Sequence, residues 1–312
     1  MPTFAQGSRS QLAFAKESTY GTAVTVTTNL PFNTHSLTLN KERVAGNEIQ
    51  KDRMDRVDRH GNVSASGDIV VDLRHGTYDE FIASAMLSSA DLSTAFDTNG
   101  ESLTIGTANR FFTIEDQMAD ISKARKFTSM HVNSMGISIA PNQMVQATFG
   151  MMGQTMTSNQ TPTSIAAADV EAKPFDSYNG SISIGGSAVS IITAIDFTVT
   201  NNYANNFVVG SNTAPAMSAG KAVVEGTVSA YVENTTALHD LFVDETESSI
   251  SVTVKDNTVT PDGLTFKMPR VKFNGADLPV SGGEARIVTL PFIGLYDADD
   301  NTNFEVIKVI GA

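Results

Sequence analysis

The segment "DADDNTN" (297–303) sets Asp297, Asp299, Asn301 and Asn303 at alternate positions, the spacing that delivers the first ligands of a calcium-binding loop. The rest of such a loop does not follow. The sixth position is Thr302, where the sharp turn needs Gly, and the twelfth is Lys308, where a bidentate Glu belongs. The segment therefore reads as a polar turn between the last two strands. The five histidines (His35, His60, His75, His131 and His239) stand at no zinc-ligand spacing, and no HExxH occurs. There is no GxSxG nucleophile elbow, no GxxxxGK[ST] loop and no GxGxxG after a strand. Cysteine is absent, which removes a thiolate metal site, a disulfide scaffold and a cysteine nucleophile. With 34 Asp and Glu, a carboxylate pair for general acid–base work is compatible with the sequence, but nothing singles one out. The expectation is a structural or binding protein, not an enzyme, with no catalytic, cofactor-binding or metal site.

The elements that would position any site form a repeat. "GNVSASGDIVVDLRHGTYDEFIASAM" (61–86) returns as "GKAVVEGTVSAYVENTTALHDLFVDET" (220–246), with Gly61 on Gly220 and Gly67 on Gly226. Ile69, Val71 and Leu73 alternate in the first, and Val228, Ala230 and Val232 in the second, as in strands with one buried face. Thr77 and Thr236 are expected to cap short helices, whose apolar sides carry Phe81, Ile82, Ala85 and Met86 in one and Leu238, Leu241 and Phe242 in the other. Upstream, "HSLTLNKE" (35–42) pairs with "IDFTVTNN" (195–202). Downstream, 131–153 pairs with 270–294 as a hairpin with a polar turn. The first copy holds a longer insertion around 87–106. The chain reads as two copies of one β-rich domain with a single helix, 1–160 and 161–312, divided in the polar stretch near 155–175.

Each copy carries a long polar arm between its first long strand and its strand–helix unit. In 41–60, Lys41, Arg43, Lys51, Arg53, Arg56 and Arg59 mix with Glu42, Glu48, Asp52, Asp55 and Asp58; in 201–219 charge is nearly absent and Asn abounds, around Asn205 and Phe207. Loops this long without structure of their own are uncommon in compact domains. Mixed charge suits a protein partner rather than a phosphate backbone.

The bulk composition narrows the class. At 312 residues and 41% hydrophobic residues, the chain is long enough for two packed domains. Formal net charge is −13: 13 Lys and Arg against 16 Asp and Glu in 1–160, then 8 against 18 in 161–312. Such a balance disfavours tight nucleic-acid binding. No apolar run is long enough to span a membrane and the N-terminus has no signal-peptide core, so synthesis in the cytoplasm is expected. A surface adhesin or carbohydrate-binding β-module, and a β-rich hydrolase with dispersed carboxylates, share this composition. The first expects aromatic platforms, yet Trp is absent and Tyr numbers six.

"KESTYGTAVTVTTNLPFNTHSLTLNKE" (16–42), the strand–helix unit, "LTIGTANRFFTIED" (103–116) and "GISIAPNQMVQATFGMMG" (136–153), followed by "PFDSYNGSISIGG" (174–186) and "AIDFTVTNN" (194–202), resemble the major tail tube proteins of long-tailed, siphovirus-like bacteriophages. The resemblance implies a mainly β (β+α) fold: two tandem tail-tube-like β-sandwich domains, each with a flanking α-helix and an extended loop. It implies rings stacked into a hollow tube that conducts DNA without binding it, in the virion tail. It also implies tape-measure, tail terminator and distal tail proteins as partners, and no cofactor. Family members with one copy form hexamers, so two copies per chain predict a trimeric, pseudo-hexameric ring. The arms, with Lys41, Arg43, Lys51, Arg53, Arg56, Arg59, Asn205 and Phe207, are then inter-ring stacking arms. Asp68, Asp72, Glu225 and Glu233 are the candidates to face the lumen.

Overall fold

The computed structural model describes residues 4–311 apart from 50, 53, 55, 56, 93–95, 167–172, 233–236, 257, 259 and 281–284. Its strands are antiparallel throughout. In the first half, β1 (Ser10–Glu17), β2 (Thr28–Leu30), β7 (Phe111–Met118) and β10 (Thr155–Gln160) gather around the start of β8 (Lys123–Ile139). The far end of β8 crosses into a second sheet with β9 (Gln146–Gly153), β5 (Asp58–Asp72), β4 (Thr38–Ala45) and β3 (Thr34–His35). β6 (Ser102–Thr104) lies in the insertion expected at 87–106. The strands of the second half pair in a comparable order. β11 (Ser181–Ile184), β12 (Ser187–Ala188), β17 (Ser248–Lys255) and β20 (Glu305–Val309) surround the start of β18 (Gly263–Phe273). The far end of β18 joins β19 (Ile287–Gly294), β16 (Val223–Tyr231) and β13 (Ile192–Thr200). A short hairpin, β14 (Ala204–Asn206) with β15 (Ala216–Ser218), stands apart.

Alternation explains which face each strand buries. Ile69 and Val71 on β5, Ile195, Phe197 and Val199 on β13, and Val224, Val228 and Ala230 on β16 point into the core, as expected of period-two strands. In the first half Phe81 stacks on Phe112 at 4.9 Å and Phe14 meets both edge-on, and Phe197, Phe266 and Phe304 cluster in the second. Each fully buried ring of this kind contributes ~2–3 kcal/mol. Gly67 and Gly226, aligned by sequence, prove to do the same job. A Cβ on Gly67 would fall 2.5 Å from the Ser36 carbonyl oxygen, and one on Gly226 2.5 Å from that of Asp196. Any side chain there would push the neighbouring strand away.

The helices are short, α1 at Asp79–Ala85 and α2 at Ala237–Val243. Thr77 is not the cap: Tyr78 holds that place without a side-chain cap bond. Burial stabilises α1 instead, because every residue from Phe81 to Ala85 is buried. Thr236 lies outside the described residues. Both helices end alike. Leu87 (φ +47) and Glu245 (φ +52) adopt the left-handed conformation, and the next amides, Ser88 and Thr246, donate back to Ala83 and Leu241 at 3.0 Å.

The halves are fused by two ladders. β13 pairs with the end of β8, with Ile137 opposite Phe197 and Ser134 opposite Thr200, and β6 pairs with β20, with Leu103 opposite Val306. One hydrophobic core runs through both halves. Phe175, beyond the polar stretch that divides them in sequence, is buried and bonded to Leu73 and Val145 of the first half.

Candidate assembly surfaces

The sheet β5–β9–β8–β13–β16 has a polar face opposite its core. Because paired residues in adjacent strands share a face, Asp72, Gln146, Ser138, Asp196 and Thr227 form one row across the five strands. A second row runs through Thr148, Gly136, Thr198 and Glu225, and a third from Asp68 through Gly150 and Ser134 to Thr200. Asp68, Asp196 and Glu225 are exposed, while Asp72 accepts a 2.8 Å bond from Asn33 Nδ2. No Lys or Arg occurs in the stretches that form these rows (64–72, 134–138, 146–150, 196–200 and 225–229). Part of the face is a groove of about 740 Å³ lined by Ser134, Ser138, Thr148, Asp196 and Glu225. Three of the four sequence-expected carboxylates therefore share this face, and Glu233 lies outside the described residues. Asp196 was not among them, although its place beside inward Phe197 in "IDFTVT" marks it for the same face.

The arms are hairpins rather than loops. The first extends the β4–β5 ladder outward, Arg43 opposite His60 and Ala45 opposite Asp58, leaving 46–57 as the tip. Lys41, Arg43 and Arg59 sit on this paired stalk and Lys51 in the tip; Arg53 and Arg56 lie outside the described residues. Arg43 Nε meets Asp58 Oδ2 at 2.7 Å, both well exposed. Polar residues form strands here because each continues a ladder already started in the core. The second arm contains Asn205 within β14, opposite Met217, and half-buried Phe207 just beyond it. Both tips expose apolar side chains, Ile49, Met54 and Val57 in one and Val208 and Val209 in the other. Exposed apolar groups of this kind mark interaction surfaces.

The second arm lies against the first half. The Val63 amide donates to the Asn212 carbonyl at 2.7 Å, and Tyr20 Oη and Gln154 Nε2 both donate to the Ala214 carbonyl, at 3.2 and 3.0 Å. At its base, Asn201 Nδ2 donates to the carbonyls of Ala85 and Val132, and the Tyr203 amide donates to Asn133 Oδ1 at 2.8 Å. Tyr203 and Met217 pack on Leu87 at the end of α1. His131 is enclosed by Tyr20, Phe111 and Tyr203, and burial pushes its imidazole down to about 4. No sequence pattern announced this contact, since none of its residues repeats at a spacing that predicts contact.

Buried carboxylates serve the fold: Glu17 accepts bonds from Thr113 Oγ1, the Ser129 amide and Ser129 Oγ, and Glu115 from Gln117 and Thr163. Among the described residues no three His, Asp or Glu side chains converge as a metal site. In "DADDNTN", Asp297 Oδ1 accepts the amides of Asp299 and Asp300, and Asp297 bridges Thr302, which makes the segment a polar turn between β19 and β20.

A polar sheet face that carries a groove, and hairpins whose tips expose apolar side chains, define a structural β protein with surfaces suited to assembly. The family of phage tail tube proteins matches residues 7–294, and the chain belongs to that family. It is a structural protein of the tail tube, and its place is the virion tail. No curated protein matches it. The match lends nothing to the adhesin reading.

Proposed function

We propose that the two halves, 1–160 and 161–312, are copies of one unit, and that three chains close into a pseudo-hexameric ring. These rings stack into the tube through which DNA passes. The observation that carries this reading is the β8–β13 ladder. In the first half β8 runs past its outer partner β7, and its free end is taken by β13. In the second half β18 and the residues after it run past β17, which ends opposite Val271, and among the described residues no strand takes the outer edge of 272–278. The outer edge of β4, the counterpart of β13, is likewise untaken among the described residues. Each chain thus offers one edge of each kind, and joining them head to tail removes both.

The equivalence supplies a register. The register shifts between Val132 and Ser134 in β8 and between Phe273 and Asp277 after β18, so Gly136, opposite Thr148, corresponds to Asp277, opposite Thr289; likewise Thr198 corresponds to Thr38. The Gly136–Thr198 pair within the chain becomes an Asp277–Thr38 pair between chains. The polar face then lines the lumen, where Asp68, Asp72, Asp196 and Glu225, with Glu233 as a further candidate, repel passing phosphates. The arm tips, 46–57 and the turn beyond Asn205 and Phe207, reach the next ring. Tape-measure, terminator and distal tail proteins are the partners this role entails. The mass of an isolated ring tests the reading: three chains are expected, and six overturn it.

A further inference from the structure

The two halves differ at one place where their backbones agree. The end of α1 is covered: Leu87 is buried beneath Tyr203 and Met217 of the second arm, and Asn201 caps the Ala85 carbonyl. The matching end of α2 is bare. Phe242, Val243, Asp244, Glu245 and Glu247 are all exposed, with Glu245 in the left-handed position that Leu87 holds in the first half. Nothing in the chain itself lies over α2 as the second arm lies over α1, among the described residues.

We infer that the first arm of a neighbouring chain in the same ring lies across this bare end of α2, as the second arm lies across α1 within one chain. This rests on the ring reading above. Three correspondences support it. Asn133, whose side chain accepts the Tyr203 amide, is matched by Asn274 at the same bulge of the second half. Tyr203 lies four residues beyond Val199 on β13, and its counterpart four residues beyond Leu39 on β4 is Arg43. Leu87 is matched by Glu245. An apolar contact inside the chain, Tyr203 on Leu87, thus becomes an ionic contact between chains, Arg43 on Glu245.

The charges agree with that exchange. The first arm carries Lys41, Arg43 and Arg59 beside Glu42 and Asp58 on its stalk, whereas the second arm, which docks within its own chain, has no charged residue in 201–219. The α2 end holds Asp240, Asp244, Glu245 and Glu247 against Lys272 and Arg270, which pair with Glu245 at 3.4 Å and Glu247 at 2.6 Å. A contact that is always in reach needs no steering, and one that must be found between chains gains on-rate and register from complementary charge. The partners of Arg43 and Glu245 are exposed, so both pairs can exchange at small cost.

The chain has no cysteine, so engineered pairs report contacts without background. With Arg43→Cys and Glu245→Cys in one chain, oxidation of isolated single rings is expected to yield covalent dimers and trimers. Leu87→Cys with Tyr203→Cys is expected to cross-link only within the chain. Rings of three that form normally but give no interchain product overturn the arm placement and leave the ring reading standing. So does a product that appears only in stacked tubes. Failure to form any ring overturns the ring reading, and the arm placement with it. In a second arm of the test, Arg43→Glu is expected to weaken ring assembly roughly fivefold, and Glu245→Arg added to it to restore assembly. A lack of rescue in chains with native circular dichroism counts against the contact.

Discussion

Asp79 at the start of α1 and Lys308 near the C-terminus are 229 residues apart in sequence, and their side chains meet at 2.8 Å. Only 7% of the Lys308 side chain and 12% of the Asp79 side chain remain exposed. The ammonium also lies 5.1 Å from the centre of the Phe96 ring. The pair therefore ties the last strand of the second half to the helix of the first, beside the β6–β20 ladder. Breaking one side leaves a buried charge without its partner. Lys308→Met is expected to destabilise the chain by about 3–5 kcal/mol, and Asp79→Asn with Lys308→Met by clearly less. Urea denaturation of the three proteins measures this.

Acid should loosen the second arm. His131 in the folded chain is held near 4, below the ordinary 6.5 of an exposed imidazole, because burial opposes its charge. The unfolded chain therefore binds a proton more readily between those values. The stability contribution is complete above about pH 6.5 and falls as pH drops toward 4, by up to roughly 1.4 kcal/mol per pH unit. Thermal melting between pH 7 and pH 5 is expected to show this loss, and His131→Phe to flatten it.

The ring register can be read directly. Thr38 and Asp277 are both exposed on the polar face, so Thr38→Cys with Asp277→Cys is expected to form an interchain disulfide in assembled rings. Thr38→Cys with Gly275→Cys, two positions out of register, is expected to react poorly. The reverse preference would show a shifted ladder.

Removing the tip of the first arm separates stacking from ring closure. A chain in which residues 47–56 are replaced by a short Gly-containing turn keeps both strand edges. It is expected to give rings of three and few tubes by electron microscopy. Normal tubes would show that the tip does not join rings.

The polar face is expected to govern passage of DNA. Asp68→Asn, Asp196→Asn and Glu225→Gln together remove three carboxylates per chain from a face whose rows hold no cation. Tubes should still assemble, and DNA release should slow severalfold as phosphates meet less repulsion. Unchanged ejection kinetics would sever this face from the lumen.

Much of the fold was legible residue by residue. Alternation in "IDFTVT" and "DIVVDL" named the buried faces, and parity alone placed Asp68, Asp72 and Glu225 together on the opposite one. The repeat of Gly67 at Gly226 anticipated two strands pressed equally close. Thr77 misled because a capping residue type is only a local preference, and burial of Phe81 and Ile82 set the helix start instead. The arms looked like loops because their polarity hides a ladder whose support comes from the core strands beneath it.

The sequence by itself determined that this is a strand-built chain of the tail tube kind, acidic, with segments that echo one another and without the motifs of catalysis. Those features follow from local periodicity and from spacing along one chain. Only the tertiary structure decided which strand lies on which edge. β13 lies on β8, β6 on β20, and the second arm on Tyr20, Val63 and Gln154, through partners from 56 residues away (Ile139 and Ile195) to 205 (Ser102 and Ile307). Side-chain alternation sets the face a strand buries but says nothing about its neighbour, since backbone amides and carbonyls pair with any strand that geometry brings alongside.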